Sequence, residues 1–136
     1  MAGESVIVVD GANIAYIEES KGGEPKVSNL VAVRQALEKR GYKPVIIVDA
    51  SLRHQVDDPD QLEALIDDQK IRQAPAGTDA DYFILQFAEQ KDALVVSNDE
   101  FEQYQDQFPW IEQRRVPLMI VHGDVQLYGN DLEDKA

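Results

Sequence analysis

Three aspartates stand at places where a carboxylate can do chemistry. The run VIVV at 6–9 is continuous and β-branched, as in a strand buried on both faces, and it delivers Asp10 to its end. The segment GTDADYFIL at 77–85 places Asp79 and Asp81 at a helix start. A second buried run, LVV, ends in Ser97, Asn98 and Asp99. Taken singly, each has an ordinary structural explanation. Asp10-Gly11 can close a strand through an Asx turn. Thr78 with Asp81, and Ser97 with Glu100, have the spacing of capping boxes. Taken together, two strand ends and one helix start bring like charges to one sheet edge, and a hard cation is the common reason to tolerate that. Oxygen ligands suit Mg²⁺ or Mn²⁺, and the lack of cysteine argues against zinc. Such a centre can lower the pKa of a bound water and neutralise a phosphodiester undergoing in-line displacement.

The elements that must position these residues alternate. Strands are expected near 6–9, 43–50, 70–74 and 92–99, and helices over 28–40, 58–68 and 79–90. A short helix is expected near 100–107 and another around 109–114. Residues 116–129 read as a strand, a His-Gly-Asp turn and a returning strand. On the first helix Leu30, Val33, Ala36 and Leu37 share a face, and on the third Phe83, Ile84 and Phe87 turn inward. Strands separated by helices imply βαβ units and a mostly parallel sheet, whose ligands bind beyond the carboxyl ends where strand order reverses. One domain over 1–129 is expected, followed by an acidic, disordered tail at 130–136.

The chain has 136 residues, with 26 acids against 13 Lys and Arg, a formal net charge of −13. That balance works against broad phosphate binding by the surface. The chain has no cysteine, hence no disulfide and no cysteine nucleophile. It has no long apolar run and no signal-peptide pattern, so a cytoplasmic protein with no membrane association is expected.

Other residues are weaker candidates. Arg53 and His54 follow the second strand and could hold phosphate, as could the adjacent pair Arg114 and Arg115. Asn98 is a further substrate contact. Asp49 ends the second strand and is a candidate outer-shell group. Trp110 reads as a core cap or a base-stacking ring, His122 as a turn residue, and Asp57, Asp58 and Asp60 as a solvated helix start. Ser97 lacks a histidine base, so it is expected in a cap or beside a metal rather than as a nucleophile.

In order along the chain, VIVVDGANIA (6–15), VDASLRH (48–54), DADYFILQFA (79–88) leading into LVVSND (94–99), and LMIVHGDVQLY (118–128) resemble the PIN-like nucleases of the NYN group, and most closely the Regnase-type ribonuclease domain. The resemblance implies an α/β/α sandwich with a parallel sheet, Mg²⁺ or Mn²⁺, and hydrolysis of single-stranded or looped RNA. It places Asp10 on the first essential acid, Asn13 on its conserved neighbour, Asp81 on the helix-start acid and Asp99 on the acid after the fourth strand. Asp79 is a weaker match, because the family often has two adjacent acids where this chain has Asp79-Ala80-Asp81. The CCCH zinc finger of animal members has no counterpart, which suggests a stand-alone nuclease domain.

Rival readings fit less well. A phosphatase of the haloacid dehalogenase type needs an Asp at position 12, where this chain has Ala. A signalling receiver needs a lysine soon after a late strand, and none follows VVSND or LMIVHGD closely. A degenerate PIN-like module that binds RNA or protein without catalysis would be expected to lose some of the acids, yet all three remain. A homodimer, a protein partner and an antitoxin partner all stay open.

Overall fold

A computed structural model describes residues 5–17 and 22–129. The tail expected at 130–136 lies outside the described residues. Ser5–Asp10 forms β1 and runs directly into a short helix, α1, Gly11–Ala15. Next come α2 (Val27–Lys39), β2 (Tyr42–Val48), a 3-10 turn at Leu52–His54, α3 (Pro59–Asp67) and β3 (Ile71–Gln73). The second half holds α4 (Ala80–Lys91), β4 (Leu94–Val96), a 3-10 turn at Glu102–Tyr104, α5 (Ile111–Arg114) and β5 (Arg115–Val116). β6 (Leu118–Val121) and β7 (Asp124–Leu127) close the described chain.

β1 to β5 make one sheet in the order β3-β2-β1-β4-β5, with every neighbouring pair parallel. Side chains alternate across it as the pleat requires. Ile7, Val9, Ile46 and Val48 meet the α2 residues Leu30, Val33 and Leu37 on one face. Val8, Val45, Ile47 and Val95 meet Ile84, Leu85 and Ala88 of α4 on the other. This is the expected three-layer α/β/α sandwich with its parallel sheet. Chain order moves outward from β1 through β2 to β3, then returns to β4 on the other side. The strand order therefore reverses between β1 and β4, beyond whose carboxyl ends ligands bind in such sheets.

The C-terminal hairpin is a separate two-stranded sheet that packs Leu118, Ile120, Val125 and Leu127 on the α2 face. The continuous strand expected from residue 116 is interrupted. Pro117 has no N–H to offer a ladder, so the chain leaves the main sheet after Val116. Its turn is His122-Gly123, both at positive φ (51° and 80°), the geometry of a two-residue turn that matches strand twist.

Four other expectations shift. The helix over 100–107 reduces to the Glu102–Tyr104 turn. On α4 the fully buried residues are Ile84, Leu85 and Ala88, while Phe83 and Phe87 are half-buried at its margin. The helix α1 was unforeseen, since five residues carry too little periodicity to read. Asp57 is more than a solvated acid, because its Oδ1 accepts the Val27 N–H at the start of α2 (3.0 Å). Among the described residues, no helix is long and apolar enough to cross a membrane.

Candidate active site

β1 carries Asp10 to the reversal point and leaves it only 4% exposed. The chain can turn there because residue 11 is glycine. A Cβ at Gly11 would lie 2.4 Å from Val48 Cγ1 and 2.8 Å from the Ile47 carbonyl oxygen. β4, paired with β1 through Val9 and Val96, brings in Ser97 and then Asp99. α4 starts beside the same edge and contributes Asp81. One carboxylate oxygen each from Asp10, Asp81 and Asp99 lies within 4.8 Å of the others.

Ser97 ties the group together. Fully buried, it donates its hydroxyl hydrogen to Asp10 Oδ2 (2.8 Å), and its Oγ accepts the Asp99 N–H (3.0 Å). This replaces the capping box expected with Glu100, because no helix follows. The Asp99 Oδ1 accepts the Phe101 N–H instead (2.8 Å). Asn13 holds the same loop from α1, its Oδ1 accepting the Asn98 N–H (2.9 Å). Asn98 is committed to the hairpin. Its amide donates to the Leu118 carbonyl and accepts the Leu118 N–H, at 2.9 and 2.8 Å.

Burial pushes the Asp10 carboxyl up to about 7. The Ser97 hydroxyl and the Asn13 N–H oppose that rise, and the charges of Asp81 and Asp99 add to it. Asp81 rises to about 6, first through desolvation, then through the charges of Asp99, Asp79 and Asp49. Two carboxyls that resist ionising, beside a third, form a site short of positive charge. Asp49 adds to this. Its Oδ2 accepts the Ser51 hydroxyl (2.6 Å), while its Oδ1 is buried without a partner among the described residues. An all-oxygen donor set with an orphaned carboxylate oxygen nearby fits a hard divalent cation.

The remaining candidates are spread more widely. Asp79, rather than Thr78, caps α4 by accepting the Asp81 N–H (3.1 Å), and it also accepts the Tyr104 hydroxyl, which pushes that phenol up to about 12. Arg53 stands after β2, paired with Glu63 (2.8 Å) and donating to Gln73. Arg115 stays at the acidic edge, donating to the Ser97 carbonyl (3.2 Å). Arg114 lies at the amino end of β4, paired with Asp92 (2.8 Å) and stacked on Trp110 at 3.9 Å. Trp110 in turn packs edge-on against Phe108. Ser97 was expected in a cap or beside a metal; that it bridges Asp10 and the Asp99 loop was not legible, because a serine after a strand has the same spacing as a helix cap.

Comparison with known proteins agrees with this fold. The profile described as Zc3h12a-like Ribonuclease NYN domain matches residues 3–135. Two solved structures of nuclear protein-only RNase P 2 from Arabidopsis thaliana share the fold. One is 24% identical, with a TM-score of 0.72 over 93% of this chain; the other is 22% identical, with a TM-score of 0.72 over 94%. The match covers 30% of each of those chains, so this chain spans under a third of their length. A search of curated proteins gives no match. With its acids gathered at the reversal point and a profile match along nearly its whole length, the chain belongs to the Zc3h12a-like ribonuclease NYN domain family.

Proposed function

We propose that this chain is an endoribonuclease that hydrolyses phosphodiester bonds of single-stranded or looped RNA, using Mg²⁺ or Mn²⁺ held by Asp10, Asp81 and Asp99. The observation that carries this reading is the convergence of three carboxylate oxygens within 4.8 Å at the point where strand order reverses. When bound, the cation supplies an activated water and offsets phosphate charge.

The chain's own residues divide the remaining work. Asp10 is the fixed ligand, held by the Ser97 hydroxyl and the Asn13 N–H. Asp99 lies on a loop that Ser97 and Asn13 both pin, so its carboxylate is placed before a cation arrives. Asn13 is a positioning residue for that loop. Asp81 and Asp99 line an open depression of about 790 Å³ at this edge, with room for a nucleic-acid strand. Arg53 and Arg115 stand on either side of the edge and are assigned to the RNA backbone. Arg114, at the other end of β4, is left out of this set.

The test is cleavage of labelled single-stranded RNA, hairpin RNA and matching DNA, with Mn²⁺, Mg²⁺ or EDTA. RNA cleavage that requires a divalent cation and vanishes in Asp81→Asn and Asp99→Asn is expected. Cleavage unchanged in EDTA would overturn the reading.

A further inference from the structure

The opposite end of the sheet carries a second feature. β3 pairs with β2 only from Ile46 onward, so among the described residues the outer side of Tyr42–Val45 has no partner strand. A cavity of about 380 Å³ occupies this notch. Arg34 from α2 and Lys70 and Arg72 around the start of β3 line it, with Lys43 of β2, which is already partnered, and with Glu38 as the one acid among the described residues. The chain as a whole has two acids for every base, so the notch reverses the charge balance of the molecule.

Arg34 is built into the wall. Its Nη1 pairs with Glu38 (2.9 Å), while its Nε is buried with no partner among the described residues. Arg72 is steadied over the Phe87 ring at 5.2 Å. A second cavity of about 230 Å³ shares Arg34, Glu38, Ile46 and Lys70, and Leu30, Leu65 and Ile71 give it an apolar lining.

We propose that this notch is a nucleotide-binding site, distinct from the acidic edge, that takes a phosphate among its cations and an apolar ring or sugar in the adjoining cavity. Among the described residues, Arg34, Lys70 and Arg72 against the one acid, Glu38, suit a multiply charged anion better than a single carboxylate. The ligand is a free nucleotide or a nucleotide unit of an RNA chain, two sources of the same chemistry. Binding there is independent of the hydrolysis proposed above and needs no cation.

The test is an amide chemical-shift titration of the whole ¹⁵N-labelled chain in EDTA at low salt. The probes are AMP, a short single-stranded oligoribonucleotide, adenosine and acetate. AMP is expected to shift the amides of Lys43 and Lys70 to Arg72, with adenosine and acetate at equal concentration leaving them in place. The double variant Lys70→Gln, Arg72→Gln is expected to stay folded and to weaken AMP binding roughly tenfold or more. Shifts with the oligonucleotide alone would assign the phosphate to an RNA chain, and shifts with AMP would assign it to a free nucleotide. No shift at these amides with either probe, equal shifts with acetate, or undiminished affinity in a folded double variant would overturn the proposal.

Discussion

At the carboxyl ends of the strands, acids gather around one buried carboxyl; at the amino ends, charge of the other sign rims an open notch. Asp10 is almost wholly enclosed, and its carboxyl is pushed up to about 7 because ionising it inside the fold is unfavourable. Lys43, Lys70 and Arg72 are exposed, where water screens their repulsion. Buried like charges are stable only if the environment or a bound ion compensates them, whereas exposed ones are tolerated at little expense and can attract a mobile anion. The same parallel sheet produces both ends. Its reversal point gathers strand-end acids, and its short edge strand β3 leaves basic side chains around an uncovered part of β2.

The largest expected effect separates stability from function at the acidic end. Asp10→Asn removes a buried charge whose pKa shift corresponds to roughly 4 kcal/mol. At pH 8 without divalent cation, this variant is expected to melt at a higher temperature than the wild type; a lower melting temperature would show that the Asp10 charge is already compensated. Gly11→Ala is expected to destabilise by about 1–3 kcal/mol, because its methyl meets Val48 and the Ile47 carbonyl. Denaturant titration reads that loss, and no loss would mean that the turn after β1 has slack. Ser97→Ala is expected to weaken cation affinity by about 10–100-fold, since it frees both Asp10 and the Asp99 loop. Calorimetry reads this, and unchanged affinity would confine Ser97 to packing.

A pH dependence has the same origin as the Asp10→Asn gain. In the unfolded chain both aspartates ionise near 3.8, while in the fold they ionise near 7 and 6. Between about pH 4 and 7 the native state therefore binds protons that the unfolded chain has lost, so cation-free stability falls as pH rises through that window. Thermal melts from pH 5 to 8 check the sign. A melting temperature that rises across this range would contradict the burial account.

Much of this was legible in the sequence, for identifiable reasons. VIVV and LVV are too uniformly apolar for a half-exposed strand, so the parallel sheet and the placement of Asp10 and Asp99 could be read directly. The convergence of Asp81 with them followed from element order, since α4 lies between β3 and β4. Side-chain commitments were not legible. Nothing in the string SND says that Ser97 faces Asp10, 87 residues earlier in the chain, or that Asn98 is taken up by the Leu118 backbone. The adjacency of Arg114 and Arg115 suggested one basic patch, yet their side chains reach Asp92 and the Ser97 carbonyl, at opposite ends of β4. The notch was equally hidden, because its cations come from three segments and meet only where β3 falls short of β2.

The central claim is that the buried Asp10 and the more open Asp81 and Asp99 form one cation site. Titration calorimetry with Mn²⁺, on wild type and Asp10→Asn at pH 6 and pH 8, tests it most directly. The account predicts binding to the wild type that releases protons and tightens from pH 6 to pH 8, and loss of that binding in a folded Asp10→Asn variant. Equal Mn²⁺ affinity in the two proteins, or wild-type affinity indifferent to pH over this range, would contradict it.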